Sequence, residues 1–138
     1  MRFAGPSMLK PEEAAGLSES KSLILVADDN DAVRAVVAEI LREHDYDVLE
    51  AGSGDEALAL ADGSLSLVIA DIVMPPEGGV ALVDELQHRI AGLKALFISG
   101  YGALPIGSAS DPVLSKPFSS DELLTRVAQL LPGAAAAA

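Results

Sequence analysis

Five polar side chains stand where apolar runs of the chain end. Asp28 and Asp29 follow Leu23-Ile-Leu-Val-Ala27, and Asp71 follows Leu65-Ser-Leu-Val-Ile-Ala70. Ser99 closes Ala95-Leu-Phe-Ile98, and Lys116 follows Val113-Leu-Ser115. Brought together, they form a cluster of carboxylates with one hydroxyl and one ammonium. Clustered carboxylates repel one another strongly at low dielectric, and a divalent cation relieves that repulsion. An all-oxygen set suits Mg²⁺ or Mn²⁺ better than a softer metal, and Mg²⁺ completes its shell with water and phosphate oxygens. Ser99 can donate a hydrogen bond to a phosphoryl oxygen, and Lys116 can supply it a point charge. A carboxylate can itself be the nucleophile and become an acyl phosphate. Metal and lysine then stabilise an in-line phosphoryl transfer electrostatically.

These residues meet only if the runs carrying them lie side by side. The runs at 23–27, 47–51, 65–70, 95–98 and 113–114 read as strands. The first is apolar at consecutive positions, as a strand buried on both faces requires. Between them lie helical patterns. Val33, Val36, Val37, Ile40 and Leu41 mark one face, and Val80, Leu82, Val83, Leu86 and Ile90 another. Ser53-Gly-Asp-Glu56 and Ser119-Ser-Asp-Glu122 have capping-box spacing and open further helices. Such alternation predicts right-handed crossovers and a doubly wound parallel sheet covered on both faces. In open parallel sheets, sites gather beyond the carboxyl ends of the strands, which is where the five polar residues fall. One repeat is defective. Gly100–Asp111 holds three glycines and Pro105 with no apolar stripe, so the fourth helix is expected to be short or absent.

Composition narrows the function. The 138 residues amount to one domain, and 50% are apolar, which excludes a wholly disordered chain. The lack of cysteine excludes disulfides, zinc–thiolate sites, iron–sulfur clusters and thiol nucleophiles. His44 and His88 fall on the polar backs of helices. A net charge of −12 disfavours nucleic acid and anionic lipid as partners. No apolar run approaches the length of a membrane span, and no signal-peptide pattern opens the chain, so the expected compartment is cytoplasmic. Residues 1–20 read as a flexible leader, 21–131 as the ordered domain, and 132–138 as a low-complexity tail.

The same residues resemble a family, the receiver domains of two-component response regulators. The resemblance covers about 21–131. It rests on Asp28-Asp29, then Asp71-Ile-Val-Met-Pro75 with Gly79, then Ser99-Gly100, then Lys116-Pro117-Phe118. It implies a flavodoxin-like sheet with strand order 2-1-3-4-5. Asp71 matches the phosphoacceptor. Asp28 and Asp29 match the acidic pair that holds Mg²⁺, with Asp71 and the Val73 backbone carbonyl as further ligands. Ser99 matches the switch hydroxyl, Lys116 the phosphoryl-contacting lysine, and the Lys116–Pro117 bond is expected to be cis. The usual switch aromatic is replaced by Val113. Phe97-Ile-Ser-Gly-Tyr101 resembles a motif of a receiver subgroup with a reduced fourth helix, in which Tyr101 takes part of the switch role. The implied partner is a histidine kinase or histidine phosphotransferase, with a possible downstream protein partner. The expected chemistry is modification of the chain's own Asp71, not turnover of a substrate.

Two other readings compete. Leu23–Val33 also resembles the haloacid-dehalogenase phosphatase signature, with Asp29 as nucleophile and Asp31 as acid. That reading leaves Asp71 and its Met-Pro unexplained. The other rival is a receiver-shaped binding module that works without phosphorylation.

Overall fold

A computed structural model describes residues 22–74, 78–100 and 112–131. Five strands run in chain order: β1 (Leu23–Ala27), β2 (Asp47–Ala51), β3 (Leu65–Asp71), β4 (Lys94–Ser99) and β5 (Val113–Ser115). Four helices lie among the described residues: α1 (Asp31–Glu43), α2 (Gly54–Leu60), α3 (Gly79–Arg89) and α4 (Ser120–Leu130). All neighbouring strands pair in parallel, in the order β2-β1-β3-β4-β5. This is the doubly wound sheet that the alternation predicts, in the flavodoxin-like order that the resemblance implies. The leader, the tail and the segment 101–111, where the reduced helix is expected, lie outside the described residues.

Consecutive apolar residues in the strands follow from burial on both faces. On one face, Leu25, Val68, Ala95 and Phe97 pack with Ala57 of α2 and Leu82, Val83 and Leu86 of α3. On the other, Ile24, Val26, Leu67, Ile69, Leu96 and Ile98 pack with Val37 and Leu41 of α1 and Leu123 and Val127 of α4. The sheet is thus the middle layer of three, and its strand ends are clamped from both sides.

Local signals set the helix starts. The Asn30 side chain accepts from the Val33 N–H and caps α1. Ser119 and Glu122 form a complete capping box at the start of α4. The Ser53 expectation is corrected in one respect. Ser53 does accept from Glu56 N–H, but the Glu56 carboxylate accepts from Gly52 N–H, one residue earlier than a capping box requires. The helical stripe is also narrower than the pattern suggests. Val36 is 54% exposed, and Val80 and Leu60 are exposed as well, because the sheet covers only one side of each helix. His44 and His88 are exposed, as expected.

The packing carries a direct test. Leu96→Ala empties a fully buried position on the α1/α4 face, and the expected cost is about 2–5 kcal/mol in urea unfolding. Val36→Ala is expected to stay within about 0.5 kcal/mol of the parent. Equal costs at the two positions would contradict this layer assignment.

Candidate functional site

The site is a product of strand register. Ala27 of β1 pairs with Ala70 of β3, so Asp28 and Asp71, each one residue further on, emerge side by side. Asp71 pairs with Ile98, which sets Ser99 next to it on β4. Ser99 pairs with Ser115, so Lys116 follows immediately beyond β5, and its N–H donates to the Ser99 carbonyl at 2.7 Å. Four strands thus deliver one residue or pair each to the carboxyl edge of the sheet without any long loop.

The side chains meet there. Lys116 Nζ lies 2.9 Å from Asp71 Oδ2 and 3.9 Å from Asp28 Oδ2. The other Asp71 oxygen, Oδ1, accepts from the Val73 N–H at 2.9 Å, and Asp28 Oδ1 accepts from the Asn30 N–H at 2.8 Å. Asp28 and Ser99 are each 2% exposed and Asp71 is 7% exposed, whereas Asp29 projects into solvent. One carboxylate oxygen from each of Asp28, Asp29 and Asp71 lies within 4.8 Å of the others. The Lys116–Pro117 peptide is cis.

One ammonium cannot neutralise three carboxylates, and Asp28 bears the imbalance. Its Oδ2 is buried with no hydrogen-bond partner among the described residues. Burial pushes the Asp28 carboxyl above its usual range; the Asn30 N–H opposes that shift and the Asp71 charge reinforces it. Burial pulls the Lys116 ammonium down, but its hydrogen bond to Asp71 and the surrounding carboxylates outweigh this and raise it. A buried carboxylate oxygen that accepts no hydrogen bond from the described residues, set among hard oxygen donors, fits a small divalent cation.

Glycine shapes the backbone behind Asp71 at two positions. Gly78 lies in the left-handed region, with φ +94°. Gly79 serves a close approach instead. A Cβ there would sit 2.8 Å from the Asp71 carbonyl carbon, and the Gly79 N–H donates to the Ile72 carbonyl at 2.8 Å. Any side chain at 79 would push on the backbone of the buried aspartate.

All five polar residues singled out in the sequence therefore share one site. Val73 lies on the same loop, with its N–H on Asp71. Tyr101 lies outside the described residues. The alternative nucleophile, Asp29, is not favoured, because Lys116 pairs with Asp71 and Asp28. Sequence reading overlooked Arg34, whose guanidinium donates to the Asp28 carbonyl at 2.7 Å. Its only sequence signal was a cation one turn into the helix that starts beside the acidic pair.

A doubly wound sheet that presents an acid pair, a buried aspartate, a hydroxyl and a lysine on its carboxyl edge defines a class, the phosphoacceptor-type signalling domain. The profile of the response regulator receiver domain matches residues 24–128, and the chain belongs to this family. It is 38% identical over 131 residues to the sensor kinase CckA of Brucella abortus (strain 2308), covering 88% of this chain and 14% of that protein. It is 32% identical over 117 residues to the response regulator receiver protein CpdR of the same organism, covering 80% of this chain and 97% of CpdR. Among solved structures it is similar to the receiver domain of the hybrid histidine kinase CckA. The TM-score is 0.71 at 37% identity, covering 80% of this chain and 99% of that one. The chain therefore spans a small part of its kinase relative and nearly all of its receiver relative.

The uncompensated charge at Asp28 generates a prediction for the metal-free protein. Its carboxyl is raised in the folded state. As pH climbs from about 4, the usual carboxyl value, the unfolded chain releases its proton before the folded chain does. Stability falls through that window and stays lowered above it. Asp28→Asn keeps the acceptor facing Asn30 and removes the charge. It is expected to raise metal-free stability at pH 7 by about 1–3 kcal/mol, with the gain shrinking as pH is lowered towards 4. Urea unfolding in chelator at several pH values measures this, and a loss of stability at pH 7 would count against the electrostatic account.

Proposed function

We propose that this receiver domain takes a phosphoryl group onto Asp71, with Mg²⁺ or Mn²⁺ held by Asp28, Asp29, Asp71 and the Val73 carbonyl. One observation carries the reading. Among the described residues, the one ammonium at the site, that of Lys116, sits on Asp71 at 2.9 Å, beside a buried Asp28 oxygen that has no hydrogen-bond partner. A cation held there would neutralise the carboxylates and supply electrostatic stabilisation to the transferring phosphoryl group.

The chain's own residues do the rest. An Asp71 carboxylate oxygen attacks phosphorus, the P–N bond of a phosphohistidine breaks, and the departing imidazole keeps the bonding pair and takes up a proton. Val73 N–H and Lys116 fix the carboxylate beforehand, so attack needs little reorientation. Lys116 then has a new anion within reach, and its contact shifts from the carboxylate to the phosphoryl group. Ser99, buried on the neighbouring strand end, supplies a hydroxyl to the same group and couples the site to β4. Water later hydrolyses the acyl phosphate. The domain acts as a catalyst only on itself and is not an enzyme with an external product.

The donor follows from the chemistry and from the relatives, one named a sensor kinase and one a hybrid histidine kinase receiver. We assign a histidine kinase or histidine phosphotransferase as partner. Output is then a population shift in the surface around β4 and β5, read by a protein partner, or onward transfer or drainage of the phosphoryl group. A net charge of −12 disfavours nucleic acid as that partner, and a cytoplasmic location fits a chain in which no described helix is long and apolar enough to cross a membrane.

Intact mass after incubation with acetyl phosphate tests the proposal. The expected result is a single phosphoryl adduct on the wild type with Mg²⁺, none in chelator, and none on Asp71→Asn. An adduct that persists in Asp71→Asn but vanishes in Asp29→Asn would revive the phosphatase-like reading. If neither acetyl phosphate nor a histidine kinase gives an adduct, the domain is a binding module that works without phosphorylation.

A further inference from the structure

The loop that carries the acidic pair must hold Asp28 and Asp29 in a fixed turn. Asn30 contributes from the loop itself, through its N–H to Asp28 Oδ1 and as the cap of α1. A second restraint comes from outside the loop. Arg34 Nη1 donates to the Asp28 carbonyl at 2.7 Å, Nη2 to Asp31 Oδ1 at 2.7 Å, and Nε lies 3.6 Å from Glu50 Oε1 on β2. One guanidinium thus ties together the end of β1, the first turn of α1 and the neighbouring strand. Its head is well sheltered, with 17% of the side chain exposed. The slot is tight on the far side too. A Cβ on Gly52 would stand 3.2 Å from Arg34 Nη1 and 3.5 Å from Glu56 Oε1.

Resting on the metal-assisted reading above, we propose that Arg34 is a positioning residue for the cation. It fixes the Asp28 backbone so that Asp28 and Asp29 converge with Asp71. It touches no reacting atom. The planar fork matters because two donors must reach the Asp28 carbonyl and the Asp31 carboxylate at once, which a lysine cannot do.

Electrostatics and positioning predict opposite signs here. Arg34 is a cation close to the place where Mg²⁺ would bind, so charge alone says that removing it should tighten binding. Positioning says that removing it should weaken binding, and losses of supporting contacts around metal ligands typically cost about 10–100-fold in affinity.

The test is Mg²⁺ titration by calorimetry on the wild type, Arg34→Gln and Arg34→Lys, with metal-free melting of each. The expected result is a Kd about tenfold or more weaker in both variants. Lys is expected to be no better than Gln, since it keeps the repulsion and loses the fork. Metal-free melting is expected to fall modestly while both variants stay folded. Unchanged or tighter Mg²⁺ binding in Arg34→Gln would overturn the proposal in favour of plain charge. Recovery of wild-type affinity by Arg34→Lys would overturn it as well, because a single donor and not the fork would then suffice. So would loss of folding in both variants, which would make the residue structural. Absence of Mg²⁺ binding by the wild type would instead defeat the reading on which the inference rests, and the inference with it.

Discussion

A buried carboxylate oxygen on Asp28, without a hydrogen-bond partner among the described residues, is the constraint around which the site is arranged. Leaving a charge in that state is costly, and chains do not keep such groups for stability. Here the cost falls at the end of the central strand β1, beside a second buried acid, Asp71. Lys116 relieves Asp71 at 2.9 Å but reaches Asp28 Oδ2 only at 3.9 Å. The remaining negative charge is what the proposed small, hard cation would neutralise.

Such an arrangement persists only if the backbone beneath it cannot relax. The sheet provides that rigidity by being packed on both faces, so that Ile24 and Leu25, successive residues of β1, enter opposite cores. Small residues at the strand ends bring the chains together at the edge: Ala27 pairs with both Ala51 and Ala70. Gly79 lets the start of α3 lie against the Asp71 backbone. Arg34 and Asn30 hold the β1–α1 turn from two sides. The excess negative charge at the functional edge is therefore offset by the packing of the rest of the domain.

Much of this could be read from the chain alone, for identifiable reasons. Strands buried on both faces leave uninterrupted apolar runs, and a polar residue that ends such a run stands out. That is why Asp28, Asp71, Ser99 and Lys116 were visible one by one, and why parallel pairing sufficed to gather them. Details that depend on side-chain reach were not visible. Val36 fits an apolar stripe yet faces solvent, because periodicity reports a helical face and not how far the sheet extends beneath it. Gly78 and Gly79 look interchangeable in sequence but do different work, one in the turn and one in the close approach. Arg34 reads as an ordinary helix cation, since nothing in its spacing shows that its donors reach backward to Asp28.

The central claim is that the phosphoryl group resides on Asp71. Borohydride reduction of the phosphorylated protein, followed by peptide mapping, tests it at the level of the atom, because an aspartyl phosphate is reduced to homoserine. The account predicts homoserine at position 71 alone, formed only when Mg²⁺ was present during phosphorylation. Homoserine at position 29, or a phosphoryl group that resists reduction and maps to a serine, would contradict it.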